Sequence, residues 1–195
     1  MLENTKSKLG DIWILGQHRL MCGDSTDLTQ VQKLMRDEKA DLAFTDPPYN
    51  VNYVGRNKHR EQIQNDFLDS EHYTKFLNKI IIAHKQHLKR GASMYLCHGS
   101  RCQRALQNLL EANGFAIRNQ IIWAKNHHVM GFARYKGQHE IIFYCHQENE
   151  SDAWYGDRKQ STLWQIAKPR MSPLHPTMKP TALIEKAELV GLFKK

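Results

Sequence analysis

Short apolar segments and amphipathic helical segments alternate along most of this chain, and this alternation limits its fold more than any other feature. Strand-like runs read ADLAFT, ASMYLCH, AIRNQIIWAK and HEIIFYCH, and the first three are separated by stretches with apolar residues at helical spacing. Strands that alternate with helices are typical of an open α/β sheet. We therefore predict an open, mostly parallel sheet with helices on both faces. The length of 195 residues suits a single domain over residues 1–195.

Capping and turn residues mark the ends of the predicted elements. Asp27 opens a first helix, and Ser70 caps a long second helix that Gly91 ends. A last helix, TALIEKAEL, lies near the C-terminus. Residues 51–65 are polar and lack periodicity, which predicts a mobile loop, and residues 147–174 form a polar, irregular segment.

Positive charge is concentrated in one stretch of the chain. The formal net charge is +8, and residues 72–139 hold 11 Lys and Arg against a single acid, Glu111. A basic stretch that also carries aromatic side chains favours a polyanionic partner such as nucleic acid. The alternative is a solvent-exposed basic face of helices that has no particular partner.

Several classes of protein are disfavoured by composition. No apolar run approaches the roughly 20 residues that span a bilayer, and the N-terminus lacks the apolar core of a secretory signal. Four scattered cysteines do not suggest a disulfide framework, so we expect a reduced, cytoplasmic protein. Cys97 and Cys145 lie inside apolar strands, which predicts buried hydrophobic residues and no metal site.

The sharpest chemical feature is Asp46-Pro47-Pro48-Tyr49, directly after the strand-like run ADLAFT. In open α/β sheets, ligands bind beyond the carboxyl ends of the strands. Two prolines stiffen the turn and remove two backbone donors, which leaves carbonyl oxygens free to accept. The Asp46 carboxylate and the Pro47 carbonyl can each accept one N–H of an amine on a flat ring, and Tyr49 can stack on that ring. The alternative is an ordinary turn, since Asp-Pro is common at turns.

This tetrapeptide resembles the [DNS]-P-P-[YFW] motif of the amino-methyltransferases that methylate exocyclic amines of DNA bases with S-adenosylmethionine. Three more segments resemble that family and occur in the family's order: LMCGD at residues 20–24, WAK with the later HE at residues 123–140, and HPTMKP at residues 175–180. A catalytic motif that precedes the last element is the circularly permuted, β-type order. The resemblance implies a permuted Rossmann-like methyltransferase fold and S-adenosylmethionine as cofactor.

Roles for individual residues also follow from the resemblance. It implies catalytic roles for Asp46, Pro47, Pro48 and Tyr49, with the base flipped out of the duplex and its amine oriented by Asp46 and the Pro47 carbonyl. Asp at the first position of the motif favours adenine over cytosine. Cofactor-binding roles are implied for Gly23, Asp24, His175, Thr177, Lys179 and Pro180.

One element of the family is missing from the sequence. Permuted members continue into a strand with a Gly-rich turn of the D-P-F-x-G-x-G type, whereas this chain stops after its last predicted helix. We expect either a truncated family member, incomplete at the C-terminus of the fold, or a strand supplied by another polypeptide. The leading interpretation is an adenine-specific DNA methyltransferase. The alternatives are a catalytically inactive DNA-binding remnant of the family and an RNA-modifying relative.

Two segments are candidates for contact with double-stranded DNA. The loop at residues 51–65 carries Arg56, Lys58 and Arg60, and the segment at residues 147–174 carries Arg158 and Lys159. The second segment occupies the position of the family's target-recognition region but is short. A short region indicates a small recognition site, with self-association or a helper subunit as further expectations. Each segment could instead be an ordinary surface loop.

Overall fold

The computed structural model describes residues 6–53, 63–128, 134–150, 154–168 and 177–191. These residues form a five-stranded sheet, a separate two-stranded hairpin and four helices. In chain order the elements are β1 (Ile12–Leu15), β2 (His18–Met21), α1 (Leu28–Met35), β3 (Ala40–Thr45), α2 (Ser70–His87), β4 (Leu88–His98), α3 (Gln103–Ala112), β5 (Phe115–Ala124), β6 (His139–Gln147), β7 (Leu163–Gln165) and α4 (Thr181–Gly191).

The large sheet has the strand order β3-β4-β6-β5-β7. β3 pairs with β4, and β5 with β7, in parallel, whereas β6 is antiparallel to both β4 and β5. Four strands therefore share one direction and β6 runs against them. We call the side on which β3, β4, β5 and β7 end, and on which β6 begins, the carboxyl edge. The opposite side is the amino edge.

The core has two layers, one on each face of the sheet. Alternate residues of a strand point to opposite faces. In β4, Met94 and Leu96 pack with α2 and α3, whereas Tyr95 and Cys97 pack with α4. The predicted arrangement of helices on both faces is therefore confirmed. Each large apolar side chain buried in this way contributes about 1.5–3 kcal/mol to folding.

Helix α2 begins and ends at other residues than the sequence predicted. Its N-cap is Asp69 rather than Ser70, and Asp69 Oδ1 accepts the backbone N–H of His72 at 2.9 Å. Both residue types cap well, but a carboxylate also interacts favourably with the positive end of the helix dipole. At its other end α2 stops at His87, because Leu88 is already extended.

Gly91 was predicted to end α2, and this prediction is wrong. Gly91 lies inside β4 and has a φ of 75°. The pairing of β3 with β4 is irregular there, since Ala40 is opposite Leu88 but Leu42 is opposite Ser93. The additional residues of β4 form a bulge, and a glycine adopts the positive φ without steric cost.

The irregular segment at residues 147–174 contains a strand that the sequence did not reveal. β7 has three residues and pairs in parallel with residues 122–124 of β5, with Trp164 buried between the sheet and α4. Three residues are too few to show an alternating pattern. By contrast, α1 starts after its N-cap Asp27 as predicted. None of the helices in the described part of the chain is long and apolar enough to cross a membrane.

Candidate active site at the carboxyl edge

β3 brings Asp46-Pro47-Pro48-Tyr49 to the carboxyl edge, where the strand ends at Thr45. Pro47 is buried, and the Pro48 carbonyl accepts the Tyr73 hydroxyl at 2.8 Å. Tyr73 lies in the first turn of α2, so this helix supports the proline turn. Within the described residues no group donates a hydrogen bond to the Pro47 carbonyl, which leaves that oxygen available as an acceptor.

Asp46 has a partner on each carboxylate oxygen. Oδ1 accepts the Tyr49 hydroxyl at 2.9 Å, and Oδ2 accepts the Lys179 ammonium at 2.6 Å. The Asp46 side chain is 32% exposed, whereas that of Lys179 is only 9% exposed. Residues separated by 133 positions in the sequence therefore meet at this edge.

Glu140 is the second carboxylate of the site. It lies near the start of β6, and because β6 is antiparallel, its start lies at the carboxyl edge. Glu140 Oε1 accepts the Lys125 ammonium at 2.6 Å. Glu140 Oε2 lies 3.1 Å from the Lys179 ammonium and accepts the Tyr49 hydroxyl at 3.1 Å. A phenol has one proton, so Tyr49 shares it between the two carboxylates.

These residues form one partly buried and charge-balanced cluster, which we call the site network: Asp46, Tyr49, Lys125, Glu140 and Lys179. Burial alone raises the pKa of Glu140, but the ammonium groups of Lys179 and Lys125 outweigh it, so that pKa is lowered. Burial alone lowers the pKa of Lys179, and the carboxylates of Asp46 and Glu140 raise it above its usual value. Both groups are therefore charged near neutral pH.

Tyr49 acts as a hydrogen-bond donor in the site network. Burial, followed by the negative charge of Asp46, raises its pKa far above the usual value, so the phenol keeps its proton. The Lys179 ammonium lies 5.3 Å from the centroid of the ring. Gly99, directly after β4, lies against Tyr49, since a Cβ at this glycine would make van der Waals contact with Tyr49 Cβ at 3.4 Å.

The segment after the motif is anchored by Asp66, whose side chain the sequence did not single out. Asp66 is buried, and its carboxylate accepts the backbone N–H groups of Val51 and Tyr53 at 3.2 and 2.6 Å. Asn50 and Leu68 exchange two hydrogen bonds, at 2.8 and 2.7 Å. An acid in a polar segment carries no sequence signal for such a role. The candidate DNA-binding residues Arg56, Lys58 and Arg60 lie outside the described residues.

The structure does not join the candidate cofactor residues Gly23 and Asp24 to the site network. Asp24 Oδ1 accepts two hydrogen bonds from Thr26, both at 2.8 Å. Gly23 packs tightly, since a Cβ there would lie 2.4 Å from Gln30 Oε1. Asp24 lines a cavity of about 480 Å³ between α1 and α2, beside Lys79.

The segment HPTMKP is described only from Thr177 onwards, and His175 lies outside the described residues. Lys179 belongs to the site network. Pro180 is buried, and its carbonyl accepts the Leu183 N–H at 3.0 Å, which starts α4. Helix α4 therefore starts at the carboxyl edge, directly after Lys179 and Pro180, and runs away from that edge.

Arg158 and Lys159 lie away from the site network. Arg158 lines a groove of about 650 Å³ together with Arg118, Tyr144 and His146. Arg118 belongs to the first half of β5, and Tyr144 and His146 belong to the second half of β6. Both of these halves lie toward the amino edge. The structure thus places these two candidate DNA-binding residues at the other end of the sheet from Asp46.

Other basic residues lie at the carboxyl edge, in the connections that follow β4, β5 and β7 or in the first turn of α3. We call this group the cationic rim: Arg101, Arg104, Arg134, Lys136 and Lys168. Lys168 is close enough to the site network to be affected by it. Burial, and then repulsion from Lys125, lowers the pKa of Lys168, while Glu140 acts against them.

Comparison with known proteins identifies the family. The N6/N4 DNA methylase family matches residues 40–187. A type II methyltransferase, M.BglII of Bacillus subtilis, is 26% identical over 117 residues, which cover 55% of this chain and 30% of that relative. The chain therefore spans less than a third of the length of this curated relative.

Solved methyltransferases share the fold. The M1.HpyAVI–SAM complex superposes with a TM-score of 0.57 at 20% identity, over 85% of this chain and 74% of that chain. The cytosine-N4-specific PvuII DNA methyltransferase superposes with a TM-score of 0.61 at 14% identity, over 82% and 67%. The fold is thus the α/β Rossmann-like fold of methyltransferases. On the match over residues 40–187, the chain belongs to the N6/N4 DNA methylase family.

Proposed function

We propose that the chain transfers a methyl group from S-adenosylmethionine to the exocyclic N6 amine of adenine in DNA. The observation that carries this proposal is the pair of acceptors at the carboxyl edge, the Asp46 carboxylate and the Pro47 carbonyl, on a turn stiffened by two prolines. Two fixed acceptors can take both N–H groups of one amine and direct its lone pair toward an electrophile. Membership of the DNA methylase family supports the same chemistry.

S-Adenosylmethionine supplies an electrophilic methyl carbon on a sulfonium sulfur. The lone pair of the amine forms the new C–N bond to this carbon. The electrons of the broken C–S bond stay on sulfur, which becomes a thioether. The cavity beside Asp24, at about 480 Å³, has the size of a small-molecule site. The carboxylates of Asp24 and Asp27, which line this cavity, are suited to accept hydrogen bonds from ribose hydroxyls. M1.HpyAVI, a protein of the same fold, has been solved as a complex with SAM. We assign the cofactor to Gly23, Asp24, His175, Thr177, Lys179 and Pro180.

The residues at the carboxyl edge account for the movement of charge in this reaction. The amine nitrogen becomes positive as it is methylated, and the Asp46 carboxylate stabilises that charge. The nitrogen then loses its extra proton to solvent, so no strong base is needed beforehand. Tyr49 keeps its own proton, and its aromatic ring can stack on the adenine ring.

Double-stranded DNA is the proposed partner, with the target base flipped into the site. The cationic rim lies at the same edge of the sheet as the site network and carries the positive charge that attracts phosphates. Arg56, Lys58 and Arg60, in the segment that follows the motif, are proposed as further DNA contacts. Arg158 and Lys159 are proposed as contacts distant from the flipped base.

Adenine is proposed over cytosine because Asp occupies the first position of the motif. The cytosine N4 amine offers the same two N–H groups, and one protein of this fold is cytosine-N4-specific. Incubation of the chain with unmethylated plasmid DNA and isotopically labelled S-adenosylmethionine, followed by mass spectrometry of the digested nucleosides, distinguishes the two. We expect N6-methyldeoxyadenosine. N4-methyldeoxycytidine would overturn the choice of base, and the absence of either product would overturn the proposed function.

A further inference from the structure

Each oxygen of the Asp46 carboxylate already accepts one hydrogen bond, which leaves it a second lone pair for an incoming amine. Its Oδ1 accepts from Tyr49 and its Oδ2 from Lys179, the latter at 2.6 Å. A contact this short between a carboxylate and an ammonium is a strong, charge-assisted hydrogen bond. An amine that binds to Oδ2 lies next to the ammonium of Lys179, whose positive charge opposes the charge that the amine gains on methylation.

A second acceptor for this ammonium is already in place. Lys179 Nζ lies 3.1 Å from Glu140 Oε2, so a small shift of the side chain is enough to move it from one carboxylate to the other. The Lys179 side chain is only 9% exposed, and a buried ammonium without a partner would be very unfavourable. Glu140 is held in place by Lys125, whose side chain is 4% exposed.

We propose that Lys179 is a displaceable counter-ion, which neutralises Asp46 in the free protein and moves onto Glu140 when the substrate amine binds to Asp46. Glu140 is then a positioning residue, because it acts on the reacting amine only through Lys179. This inference rests on the proposed function, since the displacing group is the amine of the DNA base.

The exchange makes the electrostatics of the site favourable for transfer. While Lys179 stays on Asp46, its positive charge opposes the positive charge that develops on the amine. After the shift to Glu140, the Asp46 carboxylate keeps only the neutral Tyr49 hydroxyl as a donor, and its negative charge faces that nitrogen. Lys179 itself takes no proton, because Asp46 and Glu140 together raise its pKa in spite of its burial.

The first test compares Glu140→Gln with the double variant Glu140→Gln/Lys179→Met. Single-turnover transfer to plasmid DNA is measured at saturating S-adenosylmethionine. In Glu140→Gln the ammonium has no second carboxylate and stays on Asp46, so we expect the rate to fall at least about 10-fold, with DNA affinity within about twofold. The double variant lacks the ammonium and should transfer faster than Glu140→Gln but more slowly than the wild type, because Lys179 is also assigned to the cofactor; saturation with S-adenosylmethionine is therefore checked for each variant.

A matched control is Glu140→Gln/Lys125→Met, which removes the same amount of charge from the site network. Lys125 does not contact Asp46, so this variant should transfer as slowly as Glu140→Gln. Equal recovery in both double variants, or a Glu140→Gln variant as fast as the wild type, would overturn the proposal.

A stability measurement tests the exchange without any methyl transfer. In Asp46→Asn the ammonium can rest on Glu140, so we expect a melting temperature within about 2 °C of the wild type. Lys179→Met, which leaves two carboxylates without their shared ammonium, should melt at a clearly lower temperature. If Asp46→Asn melts as low as Lys179→Met, Glu140 does not hold the ammonium alone and the inference fails.

A wild-type chain that transfers no methyl group would instead contradict the proposed function, and the melting temperatures would still decide this inference.

Discussion

At the scale of single residues, the site depends on two carboxylates with different surroundings. The Asp46 side chain is 32% exposed, and that of Glu140 is 19% exposed. The more exposed carboxylate is the one that we propose to bind the substrate amine, and the more buried one holds the two ammonium groups of Lys125 and Lys179. This difference separates a substrate-facing role from a supporting role.

Replacing Asp46 by alanine should abolish methyl transfer. The variant keeps the Pro47 carbonyl but loses the second acceptor for the amine, so we expect the transfer rate to fall at least about 100-fold. DNA affinity should stay nearly unchanged, because the cationic rim is intact. The rate is measured with isotopically labelled S-adenosylmethionine and the affinity by fluorescence anisotropy. Asp37→Ala, which removes an exposed acid beyond α1, is the control, and transfer by Asp46→Ala at the control rate would contradict the catalytic assignment.

The contribution of Glu140 to stability should be lost in acid. Lys179 and Lys125 hold its pKa below the usual value of 4.5, in spite of burial. A carboxyl group whose pKa is lower in the folded state stabilises the fold above its unfolded pKa, and this gain disappears as the pH falls through the folded value. The melting temperatures of the wild type and of Glu140→Gln should therefore differ most above the usual carboxyl pKa of 4.5 and converge as the pH falls through the lowered pKa of Glu140. A constant difference over this range would show that the charge of Glu140 contributes nothing.

Residue chemistry was predictable from sequence only where a motif carried it. Asp46, Tyr49 and Lys179 were singled out, and the structure brings them together. The contact of Lys179 with Asp46 was not predicted, because it joins residues 133 positions apart. Asp66 was missed, because a buried acceptor of backbone N–H groups looks like any loop acid until the backbone is placed.

At the scale of elements, the two faces of the sheet followed from hydrophobic patterning, but the direction of β6 did not. HEIIFYCH predicts a buried strand equally well in either direction. The antiparallel direction is nonetheless what brings Glu140 to the carboxyl edge. The start of β4 was also not predictable from sequence. A glycine such as Gly91 occurs both at the ends of helices and at bulges in strands, and the sequence alone does not distinguish the two.

The bulge in β4 gives a prediction about stability. Gly91 has a φ of 75°, which is unfavourable for any residue with a Cβ, so Gly91→Ala should lower the free energy of unfolding by about 1 kcal/mol. Gly137→Ala is the matched control, because a Cβ there would meet nothing within 4 Å. Urea unfolding of both variants and the wild type gives the comparison. Equal stability of the two variants would show that the bulge tolerates a side chain.

At the scale of the whole molecule, positive charge and the site network share one edge. The cationic rim comes from turns that are distant in sequence, and the strand directions gather them there. The sequence showed an excess of basic residues between positions 72 and 139, but not which of them lie beside Asp46. That information required the sheet order.

DNA binding should depend on the rim and on salt. The double variant Arg134→Gln/Lys136→Gln should bind DNA more weakly and should reduce the slope of log K against log salt by about 2, if each cation neutralises one phosphate. Lys85→Gln/Lys89→Gln, at the amino edge, is the control. A third variant, Arg158→Gln/Lys159→Gln, measures the contribution of the distant groove. An unchanged slope in the first variant would exclude the rim as a phosphate-binding surface.

The antiparallel direction of β6 has a consequence for how the chain can diversify. Because β5 ends and β6 begins at the carboxyl edge, the connection between them, residues 125–138, leaves and re-enters the sheet beside the site network. A connection between two adjacent antiparallel strands needs no crossover, so insertions or deletions between Lys125 and Gln138 need not change the sheet. Relatives with this topology can therefore differ in the surface beside Asp46 while they keep the residues of the site network.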